Sequence, residues 1–133
     1  MPGIYSEGLG RTLNRTSISL LGRATETADT THSPQELGDL AVMYLAVVVY
    51  TSPTGTTPTM VVIIEGSDDS ITYFELGRIG ANGYSLANGT APSNINAIGT
   101  YRGIFPVPRY VRSRSDLGGT TPSFDYSIGG NAA

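Results

Sequence analysis

Apolar and polar positions along the chain follow the short period of β-strands, and no window sustains a helical repeat. The stretch around which the rest is arranged is Thr59 to Arg78, TMVVIIEGSDDSITYFELGR, which reads as a β-hairpin. Met60 to Glu65 are dominated by β-branched residues, and Ile71 to Leu76 mix β-branched with aromatic ones, both favoured on a pleated surface. Gly66 to Ser70 supply a turn, because glycine permits positive φ and Asp or Ser side chains bond nearby backbone. A second strand is expected from Leu40 to Thr51. It is apolar on both faces, Leu40, Val42, Tyr44, Ala46 and Val48 on one and Ala41, Met43, Leu45, Val47 and Val49 on the other, which predicts a central strand covered twice.

Further strands are expected at Thr100 to Phe105, Arg109 to Arg114 and Ser123 to Ile128, the last two separated by a turn over 116–122. Phe124, Tyr126 and Ile128 alternate with Ser123, Asp125 and Ser127, as on a half-buried antiparallel strand. Ser52 to Pro58 reads as a loop from its Pro, Gly and Thr content. Gly77 to Gly99 is irregular, with turns at Asn82-Gly83 and Asn88-Gly89 and at most a short strand at Tyr84 to Leu86. Ser33-Pro34-Gln35-Glu36 carries a capping box with proline at the first helical position, predicting one helical turn at 34–37 that Gly38 and the following β-branched run end.

Before that turn the apolar residues are scattered among glycines. The division expected is an extended N-terminal arm over 1–23 and an all-β domain over 24–133, an antiparallel β-sandwich or jelly roll. Ser17 to Leu21 and Arg23 to Thr31 are each candidates for an edge strand. Ile4, Tyr5, Leu9 and Leu13, with Arg11 and Arg15, give the arm side chains to lay on a neighbouring subunit, and these six are candidate interface residues.

Composition narrows the function. Charged residues make up 14% and the formal net charge is −3, which gives no basic excess for nucleic acid or a membrane surface. The longest apolar run, Leu40 to Tyr50, is too short to span a bilayer. All eight cations are arginine, suited to forked contacts with carboxylates. The absence of cysteine removes disulfides and thiolate metal sites. The leading residues lack the pattern of a signal peptide, so synthesis in a cytoplasm is expected, and the sequons at Asn14 and Asn88 are chance matches.

Candidate chemistry is thin, and no catalytic, cofactor or metal residues are assigned. His32 is the only histidine, and its Thr/Ser-rich surroundings predict a solvated loop residue. Asp68-Asp69 lacks the spacing of a calcium loop and reads as turn chemistry. Glu65 and Glu75 flank the hairpin in the manner of a glycosidase pair, yet two glutamates on a sheet are more often solvent-facing or paired with arginine. Arg109, Arg112 and Arg114 form the one local charge cluster, either balanced by Asp116 and Asp125 or offered to another subunit.

The Thr-rich lead, GTTPTMVVIIEGSDDSITYFELG and PRYVRSRSDLGGTTPSFDYSIG together resemble small β-sandwich virion proteins of tailed bacteriophages, over about residues 24–130. The resemblance implies a non-enzymatic capsid decoration (cement) protein on the capsid exterior. Its partners would be the major capsid protein and copies of itself, a trimer first. A glycan-binding or adhesion module, stacking sugars on Tyr84 and Tyr101, or another head–tail component, is the alternative.

Overall fold

In a computed structural model of the protein, which describes residues 16–38 and 40–133, a single long strand ties the rest together. The strands are β1 (Thr16–Glu26), β2 (Thr30–Thr31), β3 (Gln35–Glu36), β4 (Val42–Val49), β5 (Thr54–Ser67), β6 (Phe74–Gly80), β7 (Gly83–Leu86), β8 (Gly99–Pro106) and β9 (Tyr110–Ala132). All pairings are antiparallel, in the order β7-β6-β5-β9-β4-β8, with β1, β2 and β3 also on β9. The first half of β9 pairs with β5, β2 and β3. Its second half pairs with β4 and β1. The resulting antiparallel sheet is curved nearly into a barrel.

The curvature has a local cause. Ser115 and Tyr126 lie eleven residues apart on β9, about 36 Å in a straight strand, yet their hydroxyls are 2.6 Å apart. The strand must therefore bend sharply between them. At that bend, Gly55-Thr56-Thr57-Pro58 of β5 runs beside Gly119-Thr120-Thr121-Pro122 of β9, the same four residues paired antiparallel with register shifts. In each copy the glycine (φ +114° at Gly55, +96° at Gly119) and the second threonine (φ 47° at Thr57 and at Thr121) leave the β region. A Cβ on Gly55 would stand 2.6 Å from the Thr121 carbonyl oxygen, and one on Gly119 2.5 Å from that of Thr57. Only glycine lets the two backbones cross so closely.

This pairing corrects two sequence readings. The expected loop at 52–58 is extended strand from Thr54, and the expected turn at 116–122 is the bulged middle of one strand. Glycine and proline in both stretches mark bulges rather than chain reversal.

At the far side, Phe105 of β8 packs between the two ends of the sheet. Cβ atoms on Gly77 and Gly103 would come within 2.6 and 2.7 Å of its ring, so both glycines make room for it. Tyr84 of β7 meets it edge-on at 5.5 Å. The core between is continuous: Met43, Leu45, Val47, Met60, Val62, Ile64, Ile79, Ile95, Val111, Phe124, Tyr126 and Ile128 are all buried. Each such side chain contributes about 1.5–3 kcal/mol by leaving water.

The body of the fold reaches further back than the expected boundary at residue 24. Thr16–Glu26 is an edge strand on β9, and Ile18 and Leu20 belong to the core. The expected helical turn is absent: Gln35 and Glu36 pair with Val111 and Tyr110, and the Leu37 amide donates to the Arg109 carbonyl. Bonds to β9 replace the capping box. The hairpin is present, but its second strand begins at Phe74 because Asp69 accepts the amides of Ile71 and Thr72, both at 2.9 Å, and so lengthens the turn. β4 is central in the ladder, yet only its Met43 face is covered. Tyr44 on the other face is 51% exposed.

Candidate interaction surface

Three groups of polar or exposed side chains stand out among the described residues once the core is built. The first lies on the outer face of the β9–β5–β6 region. Strand alternation puts Arg112 and Arg114 outward beside Glu65 and Ile63 of β5, with Glu75 and Arg78 of β6 beyond. Arg112 Nε donates to Glu65 at 2.8 Å, and its guanidinium lies 3.6 Å over the Tyr73 ring. Arg114 donates to Glu65 and to Asp116, and Arg78 forks onto Glu75 at 3.1 Å. Ile63, fully buried but outside the core cluster, sits in register with Arg78 and Arg114 on this face. Arg109 pairs with Glu36 at 3.1 Å.

The three arginines singled out from sequence therefore meet carboxylates of their own chain. Of their expected partners, Asp116 takes part. Asp125 instead binds Arg23, which holds its carboxyl below the usual carboxylate range. Glu65 and Glu75 are both arginine partners.

The second group is interior. His32, expected in solvent, is only 8% exposed. Its amide donates to the Ser113 carbonyl, its Nδ1 is 2.7 Å from Ser113 Oγ, and its Nε2 is 2.9 Å from Glu26 Oε2. Tyr126 donates its hydroxyl to the other Glu26 oxygen and also bonds Ser115. One assignment satisfies every group: Nε2–H donates to Glu26, Nδ1 accepts from Ser113, and the Tyr126 oxygen accepts from Ser115. Burial first, then Glu26, pushes the Tyr126 phenol well above its ordinary value.

A serine, a histidine and a carboxylate in a row invite comparison with a hydrolase triad. Ser113 is fully buried, so no substrate carbonyl reaches its Oγ. What the row does is mechanical. It fastens the end of β1, the β2 segment and both halves of β9 to one another.

The third group is the outer face of the β1–β9–β4–β8 region. One rung carries Ser17, Asn131, Tyr44 and Ile104, and the next Ser19, Gly129, Ala46 and Arg102. Small residues at the centre leave a groove of about 290 Å³ bordered by Tyr44, Ile104 and Arg102. Val42 and Pro106 continue the apolar strip toward the end of the sheet at which β1 begins. Of the sequence-stretch candidates for contact with other chains, Ile4, Tyr5, Leu9, Arg11, Leu13 and Arg15 lie outside the described residues. The exposed Tyr44–Ile104 face was not anticipated, although Tyr44 among small neighbours is its signal in the sequence.

Compared with protein-family models, with curated proteins and with solved structures, the chain matches none.

Proposed function

We propose that the protein is a non-enzymatic structural component of a tailed-phage virion. In this reading it is a decoration protein of β-sandwich or jelly-roll type that binds the major capsid shell and copies of itself. The observation that carries the reading is the distribution of satisfied and unsatisfied surface. The charged outer face closes its ion pairs internally, whereas the Tyr44–Ile104 face leaves large apolar side chains exposed near the start of β1. Exposed apolar side chains clustered on a sheet face mark contact surfaces. Repeated engagement around a shell lets modest single contacts add up.

Among the alternatives, the glycan module is less favoured. Tyr84 stays 43% exposed but meets Phe105 edge-on, and Tyr101 is tied through its hydroxyl to the Ala97 carbonyl, so the two rings have separate partners and no contact between them forms a shared stacking platform.

The experiment is to mix the purified chain with capsids stripped of accessory proteins. Stoichiometric binding with a raised capsid melting temperature supports the proposal. Selective binding on a glycan array together with no capsid affinity overturns it.

A further inference from the structure

We infer that the chain is a fused dimer: two copies of one four-strand unit exchange strands about a two-fold axis at Thr56 and Thr120, so that a second copy of the chain can complete either unit. The first unit is β1, β2 with β3, β4 and β5. The second is β6, β8 and the two halves of β9, with β7 as an addition.

The ladders carry this division. β4 pairs with β8 and with the second half of β9. Its counterpart, the first half of β9, pairs with β2 and β3 and with β5. β5 pairs with β6, and its counterpart, the second half of β9, pairs with β1. Each of these ladders thus has an image in which the units trade places. Of the eight ladders among the described residues only β6–β7 lies within a unit, so the first unit has no ladder of its own.

The register agrees. Gly55-Thr56-Thr57-Pro58 and Gly119-Thr120-Thr121-Pro122 stand 64 positions apart, and six of the fourteen residues of Thr54–Ser67 recur at 118–131. At the crossing Thr56 pairs with Thr120. Moving Thr54 forward and its partner Ser123 back by the same 64 positions gives Gly118 and Thr59, which are also a pair. The close approaches obey the same exchange: a Cβ on Gly55 would meet the carbonyls of Thr121 and Thr120, and one on Gly119 those of Thr57 and Thr56. Away from the axis, Val47 pairs with Tyr101 and Ile128, and its counterpart Val111 with Gln35 and Gly66, within two positions of that shift. A contact in which one surface is used twice is isologous, as in a two-fold dimer.

The covalent link between the units is the turn after β5, whose residues 68–72 are exposed. Two chains that exchange units keep every ladder and differ from the single chain only at that turn. The intact turn holds the units at an effective concentration on the order of millimolar, so one chain closes on itself in dilute solution. The exchange requires no capsid.

Deleting residues 68–73 leaves one residue between the paired Gly66 and Phe74, too few to reverse a strand, and is expected to force the exchange. The readout is Val48→Cys with Thr100→Cys, which face each other between β4 and β8 in a chain without other cysteine. On oxidation the parent turn is expected to close the disulfide within one chain. The deletion is expected to close it between two, with a circular-dichroism spectrum like the parent's. Closure within one chain of a folded deletion variant overturns the inference. A second measurement does not depend on the folding of that variant. Full-length chains carrying either Val48→Cys or Thr100→Cys alone are unfolded and refolded together at about 1 mM, where a folded covalent heterodimer is expected. Its yield should exceed by about tenfold that from Val48→Cys with Thr90→Cys, an exposed residue in no ladder. No heterodimer, or equal yields from the two mixtures, overturns the inference.

Discussion

Tyr126→Phe tests whether the interior polar row holds the bend of β9. The substitution keeps the ring, fully buried in the core, and deletes the hydroxyl that joins Glu26 to Ser115. A bond to a carboxylate is worth about 1.5–3 kcal/mol, and a buried hydroxyl left unpartnered costs about 1–3 kcal/mol. Ser115 is fully buried, so the second cost applies in part and a loss of about 2–4 kcal/mol is expected. A chain of this length has an unfolding entropy near 0.28 kcal/mol/K, so Tm falls by about 7–14 °C. Adding Ser115→Ala to the variant is expected to recover about 1 kcal/mol, because the orphaned hydroxyl goes with it.

Alkaline pH gives a second readout. The fold raises the Tyr126 ionisation by burial and by Glu26, so its stabilisation is intact below the unfolded value near 10. It declines as pH rises further, because the unfolded chain releases that proton first. The decline is at most about 1.4 kcal/mol per pH unit. Urea titrations at pH 8 to 11 would show this slope in the parent and not in the Phe variant. A Tm within 2 °C of the parent, or an unchanged alkaline slope in the variant, refutes the argument.

Other expectations follow from the same geometry. Gly55→Ala and Gly119→Ala each force a Cβ against a facing carbonyl at positive φ, and each should cost about 1–3 kcal/mol by chemical denaturation. Gly22→Ala, with nothing near the added atom, should stay within about 0.5 kcal/mol. Asp125 is held low by Arg23, and Asp69 by the amides of Thr72 and Ile71, so both stabilise the fold above the ordinary carboxylate value, near 4. That contribution is lost as pH falls through the lowered values, and Asp125→Asn should flatten the acid limb of a stability–pH curve. Phe105→Ala should cost about 3–5 kcal/mol and speed amide exchange in β7 and β8 above all, since that ring holds the two ends of the sheet together.

Much of the strand pattern is legible in the sequence because period-two alternation survives wherever one face is buried. Phe124, Tyr126 and Ile128 are inward as expected, and the hairpin centred on Gly66 to Ser70 is present. Failure came where local chemistry and long-range pairing disagree. Gly-Thr-Thr-Pro is turn chemistry when read alone, and Ser33-Pro34-Gln35-Glu36 is helix chemistry. Both are overridden by β9, which supplies backbone partners from residues roughly sixty to eighty positions away. Two signals were nevertheless available. Gly-Thr-Thr-Pro occurs twice, and equal segments that need equal backbone angles can pair with one another. In Arg112-Ser113-Arg114-Ser115, arginines that alternate with serines place the serines inward, where each requires a partner. The sole histidine is one of the few side chains able to provide it.

The pairing of the arginines decides which surface is left to act. A guanidinium already bonded to Glu65 or Glu36 must give up that bond before it meets an acidic neighbour, so the exchange gains little over the bond it replaces. An apolar side chain in water has no such bond to surrender. Covering Tyr44 and Ile104 is therefore favourable, and in the proposed reading another subunit supplies the cover. Assembly through this face should then be weakened by a charge placed among those side chains. Ile104→Glu places one at an exposed position, so the fold should be kept while the contact is lost. Loss of self-association or shell binding in that variant, with a Tm close to the parent's, is the expected result. Equal binding by parent and variant would mean that the face stays outside every interface.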